Sequence, residues 1–256
     1  QPVVDAVRGV AEGGKAGDAK ITVARLRRAL RRPRRDEPCA EIVAEADALL
    51  RDWLANGGAG EGEGSVRAPE ELLLLAITTL VDLDRAQCRE GKASDRRPLL
   101  DALALAELGL AKSPMAFNFK LLIVLLNGAL GLPMPALRCF GTMDIKNIQH
   151  ETLSYLVLDS LLVYGGYDGL RDICRAVLQF HEDIDKDGAD ALLTAFNSGV
   201  FQRVPEYIDT LDQVLKSANW GQAVVGEVVA ELGQAQTVEA VAECLGRSGV
   251  LLGMVS

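Results

Sequence analysis

Aromatic residues are scarce, at 5% of 256 positions. A β-sandwich leans on aromatic and β-branched pairs across its strands; here Leu, Ala and Val dominate, so helices are expected. Positive charge is also in the minority: 27 Lys and Arg stand against 36 Asp and Glu, a net charge of −9. That argues against a general nucleic-acid binder, which displaces counterions with a positive surface, and no specific DNA binding is expected. The five cysteines, Cys39, Cys88, Cys139, Cys174 and Cys244, are odd in number and scattered, with no C-x-x-C. This argues against a disulfide frame or a zinc knuckle and fits a reducing, cytoplasmic setting. The richest apolar stretch, LLIVLLNGALGLPMPAL from Leu121, is broken by Asn127, two glycines and two prolines. It falls short of the ~20 clean residues of a membrane span, and no membrane association is expected. P-loop, G-x-S-x-G and H-E-x-x-H motifs are absent as well. The chain starts at Gln1 and finishes in the apolar SGVLLGMVS, so it reads as a piece of a longer protein.

What remains is helix and turn. Residues 1–55 read as an irregular, partly helical segment, with a basic helix over Asp18–Arg32 broken at Pro33 and a second over Pro38–Leu54. In the second, Ile42, Val43, Ala46, Leu49, Leu50 and Trp53 fall at helical spacing. Residues 56–68, opening with NGGAGEGEG, have no side chains with which to build a core and read as a flexible insert. From residue 69 to 256 the pattern is a helical array, beginning with helices over Glu70–Arg89 and Arg97–Ala111.

Within that array Gly131, Gly165 and Gly199 recur at intervals of 34 residues. Each closes one apolar helix and precedes another, a place where a left-handed residue costs least without a Cβ. The helices that follow carry apolar stripes: Ala136, Leu137, Phe140 and Met143; Leu170, Ile173, Cys174, Val177 and Leu178; Val204, Ile208, Leu211 and Leu215. The helices that precede are apolar nearly all round, as in LSYLVLDSLLVY (Leu153–Tyr164), and must be covered on several sides. One helix pair buries too little to stand alone, and stacking makes the set stable. The interval is the tetratricopeptide period. The fold class expected is therefore all-α, a tetratricopeptide-like α-solenoid, a right-handed superhelix of antiparallel helix pairs.

Three stretches come close to known chemistry. GTMDIKNIQHETL sets His150 beside Asp144, Lys146, Gln149 and Glu151. A base at His150 oriented by Asp144 or Glu151 lacks a neighbouring nucleophile or oxyanion site, so the stretch reads as an inter-repeat connection with Asn147 as N-cap. His181 reads as a dipole partner at the C-terminus of its own helix. DIDKDG, Asp183–Gly188, copies the opening of an EF-hand loop, but Thr194 stands where a bidentate glutamate is required. It reads as an acidic loop with Asp185 or Asp187 capping the next helix. Arg138-Cys-Phe-Gly141-Thr-Met143 approximates an acetyl-CoA signature with the wrong last residue. No catalytic, cofactor-binding or metal residues are assigned. RLRRALRRPRR, Arg25–Arg35, holds seven arginines in eleven positions and reads as a solvated stretch near a chain end.

FNFKLLIVLLNGALGLPMPALRCFGTMDIKNIQHETLSYLVLDSLLVYGGYDGLRDICRAVLQFH, followed by SGVFQRVPEYIDTLDQVLKSANW, resembles the auxiliary, non-catalytic subunits of the NatB N-terminal acetyltransferase complex. The blocks MDIKNIQHETLSYLV and FQRVPEYIDTL are the most specific; the likeness runs from Pro69 to Gln234 and is strongest over Met115–Trp220. It implies a tetratricopeptide superhelix without catalytic residues or cofactor, wrapping a small catalytic acetyltransferase subunit and bringing it to the ribosome. That complex acetylates nascent chains beginning Met-Asp, Met-Glu, Met-Asn or Met-Gln. With the three glycines at the inter-helix turns, the concave face expected to meet the partner carries Asn118, Thr152, Tyr155, Asp159 and Asn197. A general peptide-binding tetratricopeptide adaptor or co-chaperone is the alternative.

Overall fold

The computed structural model describes residue 25 and residues 38–55, 68–91 and 95–252. The helix expected over Asp18–Arg32 lies outside these residues, apart from Arg25, and so does nearly all of the Gly/Glu-rich insert. Of the arginine run only Arg25 is described; it meets Glu71 at 3.2 Å. Among the described residues every regular element is helical. They fall into two compact units, residues 1–130 and 131–256. Within each unit helices pack on near neighbours in the chain, as expected of an all-α, solenoid-like fold. No described helix is long and apolar enough to cross a membrane.

The first unit holds α1 (Cys39–Ala55), α2 (Ala68–Arg89), α3 (Arg97–Lys112) and α4 (Phe117–Ala129). Ile42, Ala46, Leu49 and Trp53 make one buried stripe on α1, and Ile42 clusters with Leu83 and Ala86 of α2. Each large side chain removed from water contributes roughly 1.5–3 kcal/mol. On α3 the buried residues include Ala102, Ala106 and Gly109, a small-residue ridge. It lets the Phe119 ring of α4 come so close that a methyl on Gly109 would stand 2.6 Å from its Cε1. The buried Asp84 of α2 meets Arg96 at 3.7 Å, while Arg96 also donates to the Ala129 carbonyl at 3.0 Å. One guanidinium thus ties α2, the start of α3 and the end of α4 together.

The second unit holds α5 (Pro133–Gly141), α6 (Ile148–Leu153), α7 (Tyr155–Tyr164) and α8 (Tyr167–Asn197). A 3₁₀ turn, Phe201–Arg203, then leads to α9 (Val204–Leu215), α10 (Ala218–Gln234) and α11 (Val238–Leu252). Gly131, Gly165 and Gly199 all have positive φ, at 73°, 82° and 72°. At Gly199 the amide donates to Phe196 and that of Val200 to Ala195. This is the paired closure by which a left-handed residue satisfies the last carbonyls of a helix. The three glycines thus act as left-handed stops, but the expected helix pair does not fill the interval between Gly165 and Gly199, which one helix, α8, occupies.

Two of the expected stripes are buried: Ala136, Phe140 and Met143 after the first glycine, and Leu170, Cys174 and Val177 after the second. The third is not. On α9 only Val214 is buried, whereas Ile208 is 51% and Leu215 70% exposed. α9 packs chiefly on α8 and the 3₁₀ turn, and an amphipathic stripe needs a covering layer before it is interior.

The DIDKDG stretch also departs from expectation. It is neither a calcium loop nor an inter-repeat loop: α8 runs unbroken through it for 31 residues. Along the helix Gln179 donates to Asp183 at 2.8 Å and Lys186 meets Glu182 at 3.6 Å. Such i,i+4 pairs support helix rather than converge on an ion. Gly188 is buried where Leu211 of α9 crosses, a Cβ there standing 3.0 Å from a Leu211 methyl. Its small size serves packing, not a metal-binding turn.

Candidate functional site

Around MDIKNIQHETL the chain turns sharply. Asp144 and Asn147 both have positive φ, at 52° and 50°, which Asp and Asn tolerate better than other non-glycine residues. Asn147 occupies the N-cap position of α6, yet its side chain makes no capping bond. With ψ at −124° the side chain is not placed to cap, and Gln149 accepts from the Lys146 amide at 3.1 Å instead. Asp144 is paired with Lys146 at 2.9 Å, so it does not orient His150.

Neither does Glu151. Its Oε2 lies 2.8 Å from His181 Nε2, and its Oε1 accepts from the Ser217 hydroxyl. His181 is therefore not at the end of a helix; it sits inside α8, where a dipole partner has no exposed carbonyls to meet. Ser217 caps α10, accepting from the amides of Asn219 and Trp220 at 3.0 and 3.2 Å. Asn219 Nδ2 donates back to the Glu151 carbonyl at 3.0 Å and to Ser154 Oγ at 3.2 Å. Ser154 in turn donates to the His150 carbonyl, at the break between α6 and α7. One carboxylate, 13% exposed, thus joins α6, α8 and the first turn of α10, with His181 10% exposed beside it.

A serine, a carboxylate and a histidine in contact invite comparison with a hydrolase. The order is wrong for one: the carboxylate lies between serine and imidazole, whereas nucleophilic catalysis sets the imidazole between serine and carboxylate. The Ser217 hydroxyl is fully engaged, giving its proton to Glu151 and accepting two amides. Proximity in space supplies the nucleophile that the local sequence lacked, and its hydrogen bonding makes it a structural tie. Among the described residues no three His, Cys, Asp or Glu groups converge as a metal site. None of the five cysteines, all among the described residues, is in a disulfide. The thiol of Cys174, packed against Gly226 of α10, is pushed up to about 12 by burial and by the Glu227 carboxylate, which leaves it inert.

His150 carries a different constraint. Burial lowers its pKa below the ordinary 6.5, against a smaller opposing effect of a backbone hydrogen bond with Ile145. Its Nδ1 is buried without a partner among the described residues, so protonating it would bury an unsatisfied donor. The folded chain therefore resists a proton that the unfolded chain accepts. We predict that this histidine's contribution to stability is constant above about pH 6.5 and declines as pH falls from there toward its lower folded value. Urea midpoints at about pH 7.5 and about pH 5.5, for the parent and His150→Asn, measure this; the variant should show the shallower dependence.

The residues expected to meet a partner are all exposed. Asn118 lies on α4, in the first unit; the others lie in the second. Thr152 bonds to the Ile148 carbonyl of its own helix at 3.1 Å. Tyr155 and Asp159 follow on α7, one turn apart on one face. Tyr155 is 54% exposed, and Asp159 accepts from Gln222 of α10 at 2.6 Å. Asn197 is the last residue of α8. The network of Glu151, His181 and Ser217 could not be anticipated from spacing, because its members stand 30 and 66 positions apart.

A family described as the N-acetyltransferase B complex (NatB) non catalytic subunit matches residues 15–243. Over 159 residues the chain is 30% identical to the Homo sapiens protein named N-alpha-acetyltransferase 25, NatB auxiliary subunit, covering 62% of this chain and 16% of that protein. It is 32% identical over 160 residues to the Phagocyte signaling-impaired protein of Aedes aegypti, covering 62% and 16%. An Arabidopsis thaliana N-terminal acetyltransferase B complex auxiliary subunit is 27% identical over 154 residues, covering 60% and 14%. The matched part thus amounts to 14–16% of the length of these relatives.

Proposed function

The chain belongs to the family of NatB non-catalytic subunits, and from this premise we propose that it is a segment of the scaffold that holds the catalytic acetyltransferase subunit of that complex. The family match over residues 15–243 carries the reading. A non-catalytic role agrees with a polar centre whose serine and carboxylate are consumed in joining helices. The finer reading is co-translational acetylation of Met-Asp, Met-Glu, Met-Asn and Met-Gln N-termini by the bound enzyme, in the cytoplasm and at the ribosome. It includes a tetratricopeptide superhelix over residues 69–256, with residues 1–55 and 56–68 as an N-terminal segment and insert.

In this reading the partner meets Asn118, Thr152, Tyr155, Asp159 and Asn197. Tyr155 is the sharpest test, since it is the aromatic member of the set and is 54% exposed. Tyr155→Ala should weaken binding of the catalytic subunit about tenfold, as truncating an aromatic anchor does, and Asp159→Lys should weaken it as well. Isothermal titration of the purified subunit with each variant decides this; unchanged affinity for both removes the face. The assignment itself is checked by affinity purification of the full-length protein and mass spectrometry. An acetyltransferase recovered in stoichiometric amount supports it, and a chaperone in its place favours the adaptor reading.

A further inference from the structure

On the second unit, residues of α8, α10 and the end of α9 line a cavity of about 500 Å³. Its apolar wall is Leu178, Leu215 and Val224; the Trp220 ring and His181 complete the lining, and Glu182, Asp185 and Glu227 supply three carboxylates. His181 is held in place from behind by Glu151 at 2.8 Å, and its ring lies 6.5 Å from that of Trp220, centroid to centroid. The aromatic side of the cavity is thereby braced by the network that joins α6, α8 and α10.

We propose that this cavity receives the side chain of an arginine from a partner protein. The occupant must be cationic and amphipathic. An apolar wall alone would suit any aliphatic group, but three carboxylates around it repel an anion and favour a cation over a neutral occupant. Two of the three already have a cation: Arg175 meets Glu227 at 3.3 Å and Lys186 meets Glu182 at 3.6 Å. Neither of those cations lines the cavity. Asp185 has no charged partner among the described residues, so the cavity keeps a surplus of negative charge. An arginine suits it better than a lysine. Its guanidinium is weakly hydrated, stacks on an indole face and can address carboxylates on two helices through a planar fork. Its methylene stem would lie along Leu178, Leu215 and Val224.

The inference goes beyond the NatB reading and does not rest on it; a partner outside that complex would use the same chemistry. The test uses the 256-residue chain labelled with 5-fluorotryptophan, which gives two resonances, one from Trp220 and one from Trp53. N-acetyl-arginine amide is the probe, with the lysine and glutamine amides as comparisons. Saturable movement of the Trp220 resonance with the arginine amide is expected, Trp53 remaining still, and the response should weaken as salt is raised. Glu182→Gln with Asp185→Asn should reduce affinity at least about fivefold, since it removes charges flanking the cation. Both residues are exposed, so an unaltered thermal melt shows that the fold stands. No saturable shift, equal movement with the glutamine amide, or tighter binding of the lysine amide would each overturn the proposal.

Discussion

Glu151→Ala is expected to lower the unfolding free energy by about 3 kcal/mol. The alanine leaves His181 without Oε2 and the Ser217 hydroxyl without Oε1, in a place where each is largely shielded from water. It also unties α6 from α8 and from the first turn of α10. Glu151→Gln separates the causes. Its amide oxygen still accepts from Ser217 and its amide nitrogen can donate to a neutral imidazole, so the cost should be nearer 1 kcal/mol. Thermal melts read the two directly, at roughly 2–4 °C per kcal/mol for a chain of this size. A Glu151→Ala melt within a degree or so of the parent would contradict the claim that this carboxylate holds three helices.

In the first unit the corresponding test is Phe119→Ala. The ring is 1% exposed, and deleting it should cost about 3–5 kcal/mol through lost burial and the cavity left behind. The sharper result comes from its partner. Gly109→Ala gains roughly 1 kcal/mol of helix propensity but places a methyl 2.6 Å from the ring's Cε1 and 2.7 Å from its Cζ. A buried ring has nowhere to retreat, and overpacking of this kind costs about 1–3 kcal/mol. Overpacking should win, so Gly109→Ala is destabilising alone and becomes neutral or stabilising in the Phe119→Ala background. A double-mutant cycle measures that reversal as a coupling energy. Additive effects would mean that α3 and α4 do not meet at this point.

Much of the helical plan was readable from residue order because it rests on short-range physics. The apolar stripes of α1, α5 and the first half of α8 follow from 3.6-residue periodicity. Gly131, Gly165 and Gly199 follow from a local backbone need, a left-handed residue after a helix, that neighbouring residues suffice to announce. The same local reasoning failed at DIDKDG. Carboxylates at alternate positions followed by glycine look like a loop when read as a string. On a helix successive ones point to different sides, only Asp183 taking an i,i+4 partner among the described residues, Gln179, and the glycine answers to Leu211, which lies 23 positions away. On α9, likewise, an apolar stripe does not suffice: only Val214 is buried, because burial depends on what another segment brings over the helix.

By residue order alone, then, this chain settled its class and its punctuation: helices, their inward faces and the glycine stops between them. Through its matched residues it also settled the family. Only the packed structure decided that Asp144 pairs with Lys146, that Glu151 pairs with His181 and Ser217, and that a carboxylate-rimmed cavity opens beside Trp220. The reason is one of range. Helix periodicity and capping are set by residues within a turn or two, whereas a side chain's partner is whichever group the packing of helices carries into reach.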